Sequence, residues 1–520
     1  MDLDLIKDYI EYEQSVAQND AKIFVKEEYV IPDTLPDVEN ILMLDVKPMI
    51  TNKEVGTDKV NLEGQLQYTI LYMAKDSGAT EAHSVTYNGN MAESINMVGA
   101  QPNMYCDVEL NIEHMDCVII NERKIAIQGF MVCKCNGYNI NSFEIVKDVH
   151  EGKDIQFLKK PMTVDKVMEP IEAELVGKAE LKIDMEKNEC LKVVKYNVLI
   201  GKKDVRIHDG GLKIEAMANV AILYKGKNGR ELFCISDNVP LYKEVTVDEL
   251  KPNMEYFTDF CLHSFEYDIR QDDMGESRII DVEFIVKSTT SVMYKEEVEV
   301  IQDGYSPTKQ LDMETKENSI NVIQGHGYNE CIVKGDIETK NDNLKPVKVI
   351  MTTGAMTISD KYVKNDKVEV EGVLKVCVLY AAEDDENYLV NMEDEIPFSA
   401  KVDIAGTNPN MQAVASVALE SIEGSLEGGN ISIRAVVRVH CKVFYTIKNK
   451  FVVSMSVNEG EVPKKKASII IYVVQPEDTL WGVAKKYLTT IEEIIGLNDL
   501  YDDEDIKPSQ KLIIPGRAIV

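Results

Sequence analysis

The sequence predicts a mainly β protein, with three tandem antiparallel β-sandwich or barrel-like repeat domains followed by a small α+β module of βααβ order. Two observations predict the repeats: a strand pattern that ends in Leu-Tyr occurs three times, and a Pro-Asn-Met triplet follows each copy about thirty residues later. A third observation predicts the module, because apolar residues change from alternating to helical spacing near the carboxyl end.

The repeated strands have an apolar or small residue at every second position before the Leu-Tyr pair. They cover residues 60–72, 212–224 and 368–380. This alternation predicts a strand with one buried face and a tyrosine phenol at the end of a sheet. The triplets are 150 and then 157 residues apart. We therefore expect three homologous domains, in which each triplet forms a turn that starts a strand.

Two further strand-like runs follow each triplet, and turn signals such as Gly428 and Gly429 separate them. Many short strands of this kind favour antiparallel sandwiches or partly closed barrels. A helix is expected at residues 2–17. The predicted boundaries are 1–150 for the N-terminal helix and first repeat domain, 155–300 for the second, 318–450 for the third, 462–467 for a linker and 468–517 for the module.

The carboxyl-terminal module starts with a β-branched run at residues 469–474, which predicts a strand. Asp478 and Thr479 then precede apolar residues at helical spacing, a pattern that predicts an N-capped amphipathic helix. A second short helix is expected over residues 491–498. Residues 512–514, followed by Pro and Gly, predict the closing strand.

The module resembles a LysM domain, because the elements Tyr-x-Val, Asp-Thr-Leu, Ala-x-x-Tyr, Ile-x-x-x-Asn and Leu-x-Ile-Pro occur in register between residues 472 and 515. LysM domains are best known for binding N-acetylglucosamine polymers. Two positions depart from the family: Glu477 and Ser509 stand where glycine is usual. The resemblance implies that these loops form the glycan groove of sugar-binding members. Their added bulk and charge therefore argue against glycan binding.

Composition restricts the partners and the compartment. The net charge of −32 disfavours nucleic acid or an anionic membrane as a partner. The amino end is acidic where a secretory leader is basic, and no apolar run approaches the length of a bilayer span, so we expect a cytoplasmic protein without direct membrane insertion. Ten cysteines lie mostly in alternating apolar runs, which predicts reduced, buried thiols. Cys133 and Cys135 lack further ligands at suitable spacing, so neither a metal nor a cofactor is expected.

The repeats also resemble a domain of uncharacterised function that is common in clostridia, on the basis of residues 35–42 and the strand at 60–72. Such repeats followed by one LysM domain are similar to the SipL family of clostridial spore formers. The resemblance implies a non-enzymatic scaffold for spore-coat assembly, located in the mother-cell cytoplasm at the forespore surface. It also implies that the LysM domain binds the coat-basement ATPase SpoIVA. The sequence does not tell what the repeats bind, and our hypothesis is other coat proteins or a second surface of SpoIVA.

The expected partner surface lies in the loops and helices of the module. We expect Leu480 to be part of the module core and Tyr501 to be exposed, while Trp481 has two interpretations, core packing or a partner-binding anchor. The ten candidates are Asp478, Thr479, Leu480, Trp481, Leu497, Asn498, Tyr501, Ile506, Pro508 and Ser509.

Two other functions remain open from the sequence. One is a LysM protein that binds peptidoglycan or N-acetylglucosamine in the cortex or wall, which requires a route of export. The other is an enzyme with an unrecognised site in the repeats, which requires a concave pocket with perturbed titratable groups. No phosphate-binding loop, zinc-protease helix or serine nucleophile motif occurs in the sequence.

Overall fold

The computed structural model describes residues 4–76, 79–102, 104–150, 154–227, 230–338, 344–383, 388–458, 468–501 and 506–516. Within these residues the chain is mainly β, with two short helices near its end. The elements are β1 (Leu5–Val30), β2 (Asn40–Gly56), β3 (Lys59–Asp76), β4 (Ala79–Asn96), β5 (Tyr105–Asn121), β6 (Lys124–Val149), β7 (Gln156–Val167), β8 (Ile171–Lys182), β9 (Cys190–His208), β10 (Gly211–Gly226), β11 (Leu232–Thr246), β12 (Glu255–Arg270), β13 (Ile279–Tyr305), β14 (Gln310–Ile337), β15 (Pro346–Lys364), β16 (Lys367–Ala382), β17 (Leu389–Asp403), β18 (Gln412–Glu427), β19 (Asn430–Asn458), β20 (Ile469–Val473), α1 (Leu480–Lys486), α2 (Ile491–Asn498) and β21 (Lys511–Pro515).

Each repeat is a sandwich of two antiparallel sheets, one of the two architectures that the sequence predicts. The first repeat has sheets β1-β6-β5 and β2-β3-β4, and the third has β14-β19-β18 and β15-β16-β17. The second repeat has β9-β10-β11 and β12-β13-β7, with β8 also paired to β13. Apolar side chains from both sheets form one core in each repeat. The alternating central strands β3, β10 and β16 supply the inward face of one layer.

The tyrosine of each Leu-Tyr pair closes its own sandwich. Tyr72, Tyr224 and Tyr380 are buried, and each hydroxyl donates a hydrogen bond to a backbone carbonyl 36 residues earlier in the chain. The acceptors are Pro36, Asn188 and Leu344, at 3.1, 3.3 and 3.1 Å. The expected combination of a core ring and a phenol at the sheet end is confirmed. A buried hydroxyl requires such a partner, so the bond fixes the loop that enters each sandwich.

The leucine of each pair faces the other side of its strand and joins the three repeats. Leu71, Leu223 and Leu379 lie in one apolar cluster. The remaining members also come from all three repeats: Met43, Met73, Ala82, Val194, Leu232, Met351, Tyr388 and Leu389. Because successive side chains of a strand alternate between faces, one dipeptide supplies both the core of its domain and the shared centre. The repeats therefore pack together around equivalent residues.

Polar contacts reinforce this shared centre. The Tyr388 hydroxyl of the third repeat donates to the carbonyl of Arg230 at 2.7 Å and accepts from the Ala82 amide at 3.2 Å, so it contacts both other repeats. Lys195 of the second repeat forms a 3.0 Å ion pair with Asp45 of the first. These groups are buried or nearly so, and their pairing limits the cost of desolvation.

Long strands continue beyond the sandwiches and form a second junction, here called the trunk. The trunk consists of residues 5–18 and 137–149, residues 156–167 and 293–305, and residues 310–323 and 444–458, which are three antiparallel ribbons. Two apolar clusters join the ribbons, with members from all three, including Ile10, Val164 and Phe451. The strands of the second and third repeats therefore extend past the boundaries predicted at residues 300 and 450.

The helix predicted at residues 2–17 is wrong where the structure describes it. Leu5–Val30 is a strand, and it pairs with β6 from Leu5 opposite Val149 to Val30 opposite Lys124. The side chain of Ile10 is buried in the trunk. Helix propensity is a weak preference, and pairing with a long partner strand overrides it.

The Pro-Asn-Met triplets are turns that precede strands, as predicted. In each repeat the amide of the methionine donates to the carbonyl three residues earlier, for Met104, Met254 and Met411 at 3.1, 3.0 and 3.0 Å. Strands β5, β12 and β18 then begin. Asn103 of the first triplet and the predicted linker at 462–467 lie outside the described residues.

We predict that Leu223→Ala lowers the free energy of unfolding by roughly 2–5 kcal/mol, because it removes a fully buried side chain from the shared centre. Denaturant unfolding of the full chain measures this change. The control is Leu191→Ala in the same repeat, where the side chain is 54% exposed and the expected change is within about 0.5 kcal/mol. Equal effects of the two substitutions would contradict the assigned role of the shared centre.

Candidate functional site

The carboxyl-terminal module has the predicted βααβ order. Strands β20 and β21 pair antiparallel, and the two helices lie between them in the chain. Thr479 caps α1 by accepting from the Gly482 amide at 3.1 Å, and Thr490 forms a capping box with Glu493 at the start of α2. The core includes Val474, Leu480, Val483, Ala484, Ile494, Leu512 and Ile514.

Four of the ten predicted site residues maintain the module itself. Leu480 is in the core, as predicted, and Thr479 is the helix cap. Asp478 accepts from the Tyr472 hydroxyl at 2.6 Å and from the Gln475 amide at 2.7 Å, and these bonds lower the pKa of its carboxyl group. The side chain of Asn498 binds the backbone N–H and C=O of Ile513 at 2.6 and 2.8 Å, so it attaches α2 to β21.

Four other predicted residues are available to a partner. The side chain of Tyr501 is 95% exposed, and Leu497 on α2 is 48% exposed. Pro508 and Ser509 are exposed in the second loop, and Ile506 beside them is half-buried and packs on the module core. An exposed tyrosine is among the side chains that most often anchor protein interfaces.

The two loops have a backbone conformation that favours glycine, although neither Glu477 nor Ser509 is a glycine. Glu477 has φ 75° and Ser509 has φ 70°, both in the left-handed region. This region disfavours residues with a Cβ, by roughly 1–2 kcal/mol for each such residue. The loops also lie together, because the Ser509 amide donates to the Val474 carbonyl at 2.8 Å. Two exposed polar side chains thus stand at strained positions in adjoining loops.

Trp481 contacts the trunk, a role that the sequence did not indicate. Its indole N–H donates to the carboxylate of Asp303 at 3.0 Å. Its ring packs edge to face on the ring of Tyr305, with the two ring centroids 4.9 Å apart. Lys485, one helical turn later, donates to both oxygens of Asp303 at 2.6 and 2.7 Å. The buried hydroxyl of Tyr305 donates to the Thr489 carbonyl at 2.7 Å.

This trunk contact combines an ion pair with apolar burial. Burial alone would raise the pKa of Asp303, but the hydrogen bonds from Lys485, Trp481 and the Gly304 amide lower it overall. Burial also raises the pKa of Tyr305, so its hydroxyl stays a donor. Asp303 and Trp481 are 178 residues apart, and neither has a pattern that indicates the other. The partner-binding role predicted for Trp481 remains a prediction.

Metal-binding side chains, cysteine thiols and a small cavity bear on the alternatives that the sequence leaves open. No group of three or more His, Cys, Asp or Glu side chains in them could hold a metal ion. All ten cysteines are free thiols, and Cys133 and Cys135 lie with their sulfur atoms 3.6 Å apart in the first core. A small cavity between the repeats is lined by Met43, Lys195, Met351, Thr353, Cys377 and Leu379. Its charged lysine is paired with Asp45. None of the helices in the described ranges is long and apolar enough to cross a membrane.

Comparison with known families identifies four segments. The family described as SipL, SPOCS domain matches residues 37–120, 189–270 and 346–427, and the LysM domain family matches residues 472–515. The first three segments correspond to β2–β5, β9–β12 and β15–β18, one in each repeat. Asp303 and Tyr305 lie outside all four segments. No curated protein and no solved structure matches the chain.

We predict that Asp303→Ala releases the module from the trunk, because it removes the acceptor of both Lys485 and Trp481. The chain has one tryptophan, so its fluorescence reports this contact directly. The expected result is a red-shifted emission and a faster anisotropy decay. Glu297→Ala, an exposed site on the same strand, should leave both unchanged. Unchanged fluorescence in Asp303→Ala would show that other contacts suffice.

We predict that Glu477→Gly stabilises the module by up to about 1 kcal/mol, because glycine relieves the left-handed strain at that position. Hydrogen exchange of the α1 and α2 amides in the full chain measures the local opening free energy. Glu492→Gly is the matched control, since it removes the same charge from a helix, where glycine costs about 1 kcal/mol. A loss of protection in both variants would refute the strain at Glu477.

Proposed function

Because this chain belongs to the SipL family, with three SPOCS domains and a carboxyl-terminal LysM domain, we propose that it is a scaffold for spore-coat assembly. In this proposal it binds the coat-basement ATPase SpoIVA through the LysM domain and promotes encasement of the forespore by the coat. It acts in the mother-cell cytoplasm at the forespore surface, without catalysis and without a cofactor. The match to this family supports a role in sporulation.

The observation that carries the proposal is the pair of altered loops in the LysM domain. Glu477 and Ser509 keep a backbone conformation that favours glycine, at positions where glycine would allow a sugar chain to approach closely. Strain of this kind persists where the side chain has a use. A carboxylate and a hydroxyl in adjoining loops, with Tyr501 and Leu497 exposed in the same domain, suit a protein surface that offers hydrogen-bond donors and an apolar pocket.

The arrangement of the repeats supports a scaffold. Buried contacts at the shared centre and in the trunk join the three SPOCS domains, and the trunk contact of Asp303 fixes the LysM domain to them. A rigid body of this kind holds its partner at a defined position relative to the outer surfaces of the repeats. Other coat proteins, or a second surface of SpoIVA, are the proposed ligands of those outer surfaces.

The alternative is binding of peptidoglycan or N-acetylglucosamine, and the observation that favours it is the LysM match itself over residues 472–515. The core and helix caps of the fold are intact, so a groove of family type could form between the two loops. Glu477 places a negative charge in that groove, where a neutral sugar gives it no partner. Direct competition between the two ligands separates the alternatives.

We predict that the full chain binds purified SpoIVA and that Tyr501→Ala weakens this binding at least tenfold, since exposed tyrosines are frequent interface hot spots. Calorimetry with SpoIVA and, in parallel, with chitohexaose measures both activities. Tyr242→Ala removes another exposed tyrosine, in the second repeat, and should change nothing. Binding of chitohexaose without binding of SpoIVA would overturn the proposal in favour of the glycan alternative.

A further inference from the structure

Strand β20 has one edge paired with β21 and one open edge. The Val474 amide donates to the Gln510 carbonyl at 2.9 Å, and the Gly516 amide donates to the Ser468 carbonyl at 2.8 Å. Hydrogen-bonded pairs of an antiparallel ladder recur at every second residue. The backbone groups of Ile470 and Tyr472 therefore face β21, and those of Ile469, Ile471 and Val473 face away from it.

The hydrogen bonds of β21 confirm which residues of β20 face it and which face away. Ile513 stands opposite Ile471, and its backbone N–H and C=O are bonded to the side chain of Asn498 instead of to β20. The outer edge of β21 is thus covered by α2. On β20, the Val473 carbonyl accepts from the Gln475 side chain at 2.9 Å. No strand among the described residues pairs with the edge at Ile469 and Ile471.

The side chains beside this open edge are apolar and exposed. Ile469, Ile471 and Val473 are 64%, 68% and 41% exposed, and Ile513 beside them on β21 is 41% exposed. We call these four residues the apolar stripe. Proteins usually protect an edge strand with charges, a bulge or a covering element. An uncharged edge with alternate apolar side chains is instead the geometry that accepts an added strand.

The trunk leaves this stripe accessible. The LysM helices pack on the inward face of the sheet, through residues such as Leu480 and Ile494. Trp481 and Lys485 of α1, together with Thr489, contact the trunk. The stripe lies on the other face of the sheet, so docking of the domain and occupation of the stripe use separate surfaces.

One lysine stands beside the stripe and three more precede β20 in the sequence, in a chain that is otherwise strongly acidic. Lys511 is exposed and stands opposite Val473, on the face of the stripe. Lys464, Lys465 and Lys466 precede the strand and are the only run of three consecutive basic residues in a chain of net charge −32. Complementary charge at an interface favours the correct partner and speeds association. A partner strand with acidic flanks fits this edge. A second copy of the chain fits it less well, because its own lysines would add like charge to the interface.

We propose that β20 is a strand-addition site, which takes an extended segment of the partner protein with apolar or β-branched residues at alternate positions and acidic residues at its ends. The partner backbone pairs with Ile469, Ile471 and Val473, and its side chains cover the apolar stripe. The sheet of the LysM domain then has three strands. This inference rests on the proposed function and adds the edge of β20 to the loops and Tyr501 as a part of the LysM domain that binds the partner.

The test removes one outward N–H. Ile471→Pro in the full chain deletes a donor that the β20–β21 ladder does not use, and proline is tolerated at such edge positions. We expect Ile471→Pro to weaken binding of SpoIVA at least tenfold. Ile471→Val keeps the N–H and the branched side chain and should bind within about twofold of the unchanged chain, because such a swap is small. Trp481 fluorescence checks that the domain remains folded and docked.

A second variant tests the charge without touching the strand. Replacing Lys464, Lys465 and Lys466 by glutamate should slow association with SpoIVA by at least tenfold at low salt, and the difference should shrink at high salt. Hydrogen exchange adds an independent measurement, since the Ile471 amide should gain protection when SpoIVA binds. If Ile471→Pro unfolds the domain, the charge variant and the exchange measurement decide the proposal.

The outcomes separate this inference from the proposed function. A chain that lacks residues 459–520 and still binds SpoIVA fully would refute the proposed function and this inference with it. Loss of binding in that truncated chain, with unchanged binding of Ile471→Pro and no protection of the Ile471 amide, would overturn only the strand-addition site. A concentration-dependent dimer that Ile471→Pro dissolves would assign the edge to a second copy of the chain and would also overturn the proposal.

Discussion

The Leu-Tyr dipeptide is the constraint on which the rest of the structure depends. Adjacent residues of a strand face opposite sides, so Tyr224 closes its own sandwich while Leu223 enters the centre that all three repeats share. The same division holds for the other two copies. A single repeat would leave its leucine and the apolar residues around it exposed to water. The three repeats are therefore joined by the hydrophobic effect at positions that also fix each domain internally.

The trunk connects the three sandwiches to the LysM domain. Strands β6, β13 and β19 each begin in a sandwich and end in the trunk, so the position of one fixes the direction of the other. Asp303 and Tyr305 lie at the end of β13, where they receive Trp481, Lys485 and Thr489. The LysM domain thus has a fixed attachment that depends on strands outside the segments matched by the SPOCS family.

The sequence predicts the repeated domains and the alternating strands, because residue spacing within a short segment is enough to indicate them. Three antiparallel β domains, the Pro-Asn-Met turns and the βααβ order follow from spacing alone. Leu71 shows the limit, because its cluster includes side chains from the second and third repeats, more than a hundred residues away in the chain. The strand at Leu5–Val30 was missed for the same reason, since its pairing with β6 decides its conformation. No local pattern in the sequence indicates the contact between Asp303 and Trp481.

Different residues of the LysM domain form its trunk contact, its two loops and its apolar stripe, and this separation bears on the proposed role as a scaffold. Its helix α1 attaches to the trunk, its two loops keep a strained glycine-type backbone, and its sheet presents the apolar stripe. A partner that occupies the loops or the stripe has no reason to displace Trp481 from Asp303, because those contacts lie elsewhere. Binding then needs no rearrangement of the trunk, so no binding free energy is lost in breaking the trunk contact. A scaffold that stays rigid while bound can hold its partner in a fixed orientation to the three repeats.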